Sequence, residues 1–137
     1  MLNGFFRVVL PGTSIFPFDT SNYDSRLTIA HDWLWALADD KISAFHSDPH
    51  MFKLYTDYID GNPELLARHI NDLSRSLIAA TGIADDTIIS SILQAFSCFS
   101  TSAFAPAWNN QTRNQFEAVW SLVRPGVQAA LYNQNLD

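Results

Sequence analysis

The sequence predicts an all-α fold: a compact bundle of five to six helices with an N-terminal extended arm or short β-hairpin. Three observations predict it. Apolar residues recur at helical spacing in several successive segments. Helix-start signals, an Asp or Asn followed by Pro, stand at 48–49 and again at 62–63. The 137 residues are 47% hydrophobic, enough to bury one core but of a length suited to one domain. The expected organisation is a single domain over 1–137, with an arm over 1–23 and a helical core over 24–137.

Residues 5–18 read FFRVVLPGTSIFPF, aromatic and β-branched with Pro11-Gly12 as a turn signal in the middle. A hairpin or extended arm fits, and Pro17 argues against a central strand. Helix one is expected over residues 25–45 with Asp24 as its cap. Its apolar face holds Leu27, Ala30, Leu34, Leu37, Ala38, Ile42 and Phe45. Helix two is capped by Asp48, has Pro49 in its first turn and ends at Gly61 in a left-handed conformation. Helix three repeats the grammar: Asn62 caps, Pro63 leads, and Leu66, Ile70, Leu73 and Leu77 form a stripe closed by Gly82. Asp85 or Asp86 caps helix four, whose stripe is Ile88, Ile92, Phe96, Phe99 and Ala103, with Pro106 as its stop. Helix five carries Phe116, Val119, Trp120 and Val123, and Pro125-Gly126 should kink or break it. A short sixth helix is expected over residues 127–132.

Charge narrows the function. The chain has 8 basic and 14 acidic residues, a net charge of −6, and only 16% charged residues in all, against about 25% in an average domain. That balance argues against a phosphate-backbone binder, so no nucleic-acid partner is expected. The one cysteine rules out an internal disulfide framework. The N-terminus lacks the basic opening and cleavage site of a signal peptide, and no apolar run reaches spanning length, so the expectation is a cytoplasmic protein with no membrane partner.

Residues 87–112 contain no Asp, Glu, Lys or Arg. The polar side of helix four is Ser90, Ser91, Gln94, Ser97 and Thr101, where a solvent-facing helix normally carries charge. Two readings fit. Helix four is central and surrounded by the others, or this face meets a partner or a second copy of the chain. Trp33 poses the same choice. It falls opposite the apolar face of helix one, with Ile29 near it and Arg26, Asp32 and Asp40 flanking. Either another element covers it, or it is an exposed aromatic anchor, with Asp32, Asp39 and Asp40 steering a basic partner.

No motif dictates a reaction. His46, Asp48 and His50 could hold zinc on a strand, but here they straddle a helix start and Asp48 serves as a cap. His31 and Cys98 read as core residues rather than as a base and a nucleophile. No enzyme activity, metal or cofactor is expected. The rhythm from Pro49 to Pro106 resembles the globin family: a proline opens a short helix, the aromatics Tyr55 and Tyr58 follow, and His69 comes about one short helix later. The haem-ligating histidine such a domain would need near Cys98 or Phe99 is absent. The resemblance implies a haem-binding or haem-free globin-like domain as the rival reading. The leading expectation is a small acidic interaction module, an inhibitor or adaptor that occludes a more basic protein partner, possible also as a homodimer. Its partner-binding residues would be Ile29, Asp32, Trp33, Asp39, Asp40, Ser90, Gln94 and Ser97.

Overall fold

The computed structural model describes residues 18–135. Five α-helices follow in order among them: α1 (Arg26–Ser47), α2 (Pro49–Asp60), α3 (Pro63–Thr81), α4 (Asp86–Ala95) and α5 (Thr112–Asn133). Two 3₁₀ turns, Ser97–Phe99 and Ser102–Ala107, join α4 to α5. The expected arm or hairpin falls largely outside the described residues. Its described end, from Phe18 onward, holds no strand. Phe18 and Tyr23 there pack on the main core.

Side-chain caps set the helix starts, because the first N–H groups of a helix need acceptors that the helix cannot supply. Asp48 Oδ1 accepts from Met51 N at 3.0 Å and Asn62 Oδ1 from Leu65 N at 3.2 Å. Asp85 Oδ1 accepts from Thr87 N at 2.9 Å. The cap of α1 is Ser25 rather than Asp24: its hydroxyl accepts from Leu27 N at 3.1 Å. Gly82 ends α3 with a left-handed φ of 81°, and the chain bends by 107° into α4. Gly61 does not behave that way. Its φ is −81°, and its N–H is held by Asp57 O and Ile59 O. A Cβ there would sit a tight 3.1 Å from Asp57 O.

The helix at the centre is α1, which packs against α2, α3 and α5. The alternative of a central helix four is therefore corrected. One side of α4 buries Ile89 and Ile92, while Ser90, Ser91 and Gln94 face solvent. The core gathers Trp33, Leu34, Leu77, Ile83, Ile89, Phe116 and Leu131. Phe116 is its hub, with ring centroids 5.0 Å from Trp35, 5.1 Å from Phe96 and 5.5 Å from Phe99. Nor does Pro125-Gly126 break the last helix. One helix runs from Thr112 to Asn133 with Pro125 inside it. An interior proline costs about 3 kcal/mol. Burial of Phe116 and Trp120 before it, and of Val127, Ala130 and Leu131 after it, offsets that cost on both sides. No single helix among the described residues is long and apolar enough to cross a membrane.

Candidate functional site

A second, smaller apolar cluster lies apart from the main core: Phe52, Ala105 and Trp108, with Ile42, Ala44 and Phe45 packed on it. Its three aromatic rings meet edge to face. Phe45 and Phe52 are 5.6 Å apart, Phe45 and Trp108 5.9 Å, and Phe52 and Trp108 6.0 Å. This geometry suits the ring quadrupoles. The Trp108 indole donates to Cys98 O at 2.9 Å, which ties the cluster to the linker after α4.

Above this cluster opens a cleft of about 670 Å³. The end of α1 contributes Phe45, and α2 contributes Pro49, His50, Phe52, Lys53, Thr56, Asp57 and Asp60. The second 3₁₀ turn closes it with Ser102, Ala103, Ala105 and Pro106. The row Phe52, Thr56, Asp60 runs along one side of α2, since positions four apart share a helix face. The Thr56 hydroxyl donates to Phe52 O at 2.9 Å, so it is satisfied within its own helix. Lys53 and Asp57 pair at 2.9 Å, both well exposed. Asp60 accepts from the Ser102 hydroxyl at 3.3 Å, a contact that spans the cleft mouth.

A buried lysine pairs with a half-buried histidine between α1 and α3. Lys41 is only 8% exposed, and its Nζ donates to His69 Nε2 at 3.4 Å. Burial pushes the Lys41 amine down to about 8, against the opposing pull of Asp40 and Asp60. Burial, then the neighbouring Lys41, pushes His69 down to about 4. His69 therefore stays neutral near neutral pH and can accept the lysine's hydrogen bond.

A separate polar network joins α1 to α5. His31 Nδ1 meets Asp32 Oδ1 at 2.7 Å, and its Nε2 meets Glu117 Oε1 at 2.8 Å. Glu117 also accepts from Arg113 Nε at 2.8 Å, and Asp32 from the Tyr23 hydroxyl at 2.8 Å. Arg113 lies 4.2 Å over the Trp35 ring. Every polar side chain here has a partner, so the network ties two helices together and leaves no group over for a ligand.

The residues expected at a partner surface scatter. Trp33 is fully buried, its indole N–H donating to Ser76 Oγ at 2.9 Å, and Ile29 is buried beside it. The exposed-anchor reading of Trp33 is therefore wrong: α3 covers the ring through Ser76. Asp32 belongs to the network just described. Asp39 is exposed and Asp40 half-buried. Ser90 and Gln94 do lie on an open face, with Ser97 half-buried next to them. His46 and His50 are exposed, and Asp48 is occupied as a cap. Burial raises the Cys98 thiol above its ordinary value, which makes it a poorer nucleophile.

Reading the sequence missed Lys41, His69, Asp60 and the aromatic trio as one place. Two signals were present. Lys41 stands on the same helical stripe as Leu34, Leu37 and Ala38, where a lysine is out of character. Asp60 ends a helix, where the dipole disfavours an acid.

Residues 26–120 match the family described as tetracyclin repressor-like, C-terminal domain. A search of curated proteins found no significant match. The family match overturns three expectations. The chain is not an acidic inhibitor or adaptor that occludes a basic protein, and it is not a globin. Nor does its acidity exclude nucleic acid as a partner: the family is one of DNA-binding regulators, typically dimers, and the charge of this domain does not speak for a whole regulator. Family domains of this type bind ligands for a regulator and are not catalytic. With well over half its length matched, this chain belongs to the tetracyclin repressor-like C-terminal domain family.

Proposed function

We propose that this chain is the ligand-sensing part of a transcriptional regulator, that the cleft beside α2 is where the ligand sits, and that the domain works as a dimer. The observation that carries the ligand reading is the cleft itself. Its volume of about 670 Å³ falls inside the range of about 300–1,000 Å³ typical of small-molecule sites. It joins an aromatic floor, Phe45 and Phe52, to a polar wall of Lys53, Thr56, Asp57, Asp60 and Ser102. On this reading residues 1–137 act as one domain, and the protein works in the compartment that holds the DNA. The test follows amide chemical shifts while small apolar probes are added. Shifts at Phe52, Thr56 and Ala105 support the cleft. Binding that perturbs only other parts of the molecule refutes it.

The dimer reading rests on a separate surface. Ser90, Ser91 and Gln94 on α4 are exposed and uncharged. On α5, Ala118, Leu122, Gly126 and Ala129 are also exposed and step by about one helical turn. Leu122 is 82% exposed, and a Cβ on Gly126 would meet nothing within 4 Å. An uncharged face of small and apolar residues on two neighbouring helices suits close approach by a second copy. Ser90, Gln94 and Ser97 then keep a binding role, toward the same chain. Light scattering tests this. Leu122→Glu should convert a dimer to a monomer and leave the monomer's fold intact. A wild-type protein that is monomeric at tens of micromolar would refute the reading.

A further inference from the structure

We propose that His31 is a proton-operated clamp between α1 and α5: charged, its ring bridges Asp32 and Glu117, and on losing a proton it lets Glu117 go and keeps Asp32. Neither a ligand in the cleft nor a second copy of the chain is needed for it.

Both ring nitrogens face a carboxylate. Nδ1 lies 2.7 Å from Asp32 Oδ1, and Nε2 lies 2.8 Å from Glu117 Oε1 and 3.0 Å from its Oε2. An ionised carboxylate only accepts, and a neutral imidazole carries a single N–H. The two contacts are both hydrogen bonds only when the ring is an imidazolium. In the neutral ring a nitrogen lone pair would face a carboxylate oxygen at that distance, and repulsion would open the contact.

The groups around the ring hold their charges while His31 changes its own. Before α1, the Tyr23 hydroxyl donates to Asp32 Oδ2 at 2.8 Å. That bond raises the hydroxyl above its ordinary 10, so it stays a donor through neutral pH. On α5, Arg113 Nε donates to Glu117 Oε2 at 2.8 Å, and a guanidinium keeps its charge throughout. The rings of Phe116 and Trp120, with centroids 5.6 and 5.3 Å from that of His31, are uncharged. So are Leu27, Thr28, Leu34 and Trp35, its neighbours one turn away on α1. With Asp32 and Glu117 ionised, these two acids balance Arg113 and His31 only while the imidazole is charged. Histidine is the side chain whose ordinary titration falls between about pH 5 and 8.

The helices decide which contact opens. Asp32 is the next residue on the same helix, so no helix movement can separate it from His31. Glu117 stands on another helix, its side chain is 40% exposed, and Arg113 holds it from its own helix. The His31 ring is itself 17% exposed, open enough to exchange its proton with water. The N–H that survives is therefore the one on Nδ1.

The test uses the full chain with nitrogen-15 histidine, following the ring nitrogens by long-range correlation to the ring protons from about pH 5.5 to about 9. At the acid end both nitrogens of His31 should carry a proton. At the alkaline end the proton should remain on Nδ1, and the amides of Glu117 and Trp120 should shift with the same midpoint. Urea denaturation of wild type and Glu117→Gln over the same range gives the second readout. The clamp contributes stability while the proton is on the ring and loses it as pH rises. The folding constant of wild type relative to the variant should therefore fall about fivefold from the acid to the alkaline end. The Arg113 pair, also lost in the variant, does not vary with pH there, and the other histidines cancel in the ratio. A ring with one proton at the acid end, a proton left on Nε2 at the alkaline end, or a ratio that stays flat overturns the clamp.

Discussion

Replacing Lys41 by methionine should make this protein more stable. Lys41 reaches into the junction of α1, α3 and the end of α2, where its hydrogen bond goes to neutral His69. Burial pushes its amine down to about 8, against the 10.5 of a free lysine. At about 1.4 kcal/mol per unit, that difference corresponds to ~3 kcal/mol spent on burying the ammonium. The sign follows from proton counting. Between about pH 8 and 10.5 the unfolded chain still holds the lysine proton and the folded chain has released it. Stability therefore rises with pH across that window and is lost again as pH falls through about 8. Methionine keeps most of the length of the side chain and carries no charge. The cost of burial already includes the attraction of Asp40 and Asp60. The variant also gives up the hydrogen bond to His69, so the expected gain at pH 7 is about 1–3 kcal/mol rather than the full cost. Urea denaturation of both proteins at intervals from pH 6 to 10 measures it, and the wild-type-minus-variant difference removes the titration of all other groups. The variant should be ahead at pH 7 and the gap should close toward pH 10. A variant less stable than wild type at pH 7, with a gap that does not change with pH, would refute the reasoning.

Two further predictions concern packing. Trp33→Ala removes a fully buried ring and strands the Ser76 hydroxyl that accepts from it; the loss should be about 3–5 kcal/mol in urea denaturation, with the solution mass unchanged. A loss below about 1 kcal/mol would put the indole elsewhere. Gly126→Ala adds a methyl into open space on an exposed helix, which should stabilise the folded chain by about 0.5–1 kcal/mol. The same methyl should weaken self-association in sedimentation experiments if two copies meet over α5; an unchanged association constant would move the contact away from Gly126.

The caps made the helices legible. Asp48, Asn62 and Asp85 each announce a start, and each accepts the expected N–H. Such signals are local, so a sequence can carry them. Gly82 and Gly61 show where local reading stops: both follow a helix, but only Gly82 adopts the left-handed turn. Gly61 lies one residue before the next cap, which keeps the chain in a right-handed conformation. Pro125 misleads for another reason. A proline's local cost is legible, but the burial of Leu131 and Phe116 on either side of it is not. The uncharged stretch after Thr87 was visible; that its polar side faces outward depended on which helix took the centre. The cleft was the least legible part. Phe45, Asp60 and Ser102 come from three elements, and nothing in their spacing brings them together.

α1 runs unbroken for 22 residues, a rod of about 33 Å. Near its front it is clamped to α5 through His31 and Glu117. Near its back it supplies Phe45 to the cleft floor. The two places are about 21 Å apart along one helix axis. An α-helix resists compression and bends only gently. On the ligand reading proposed above, the far end of that rod bears on the helix that carries Leu122 and Gly126.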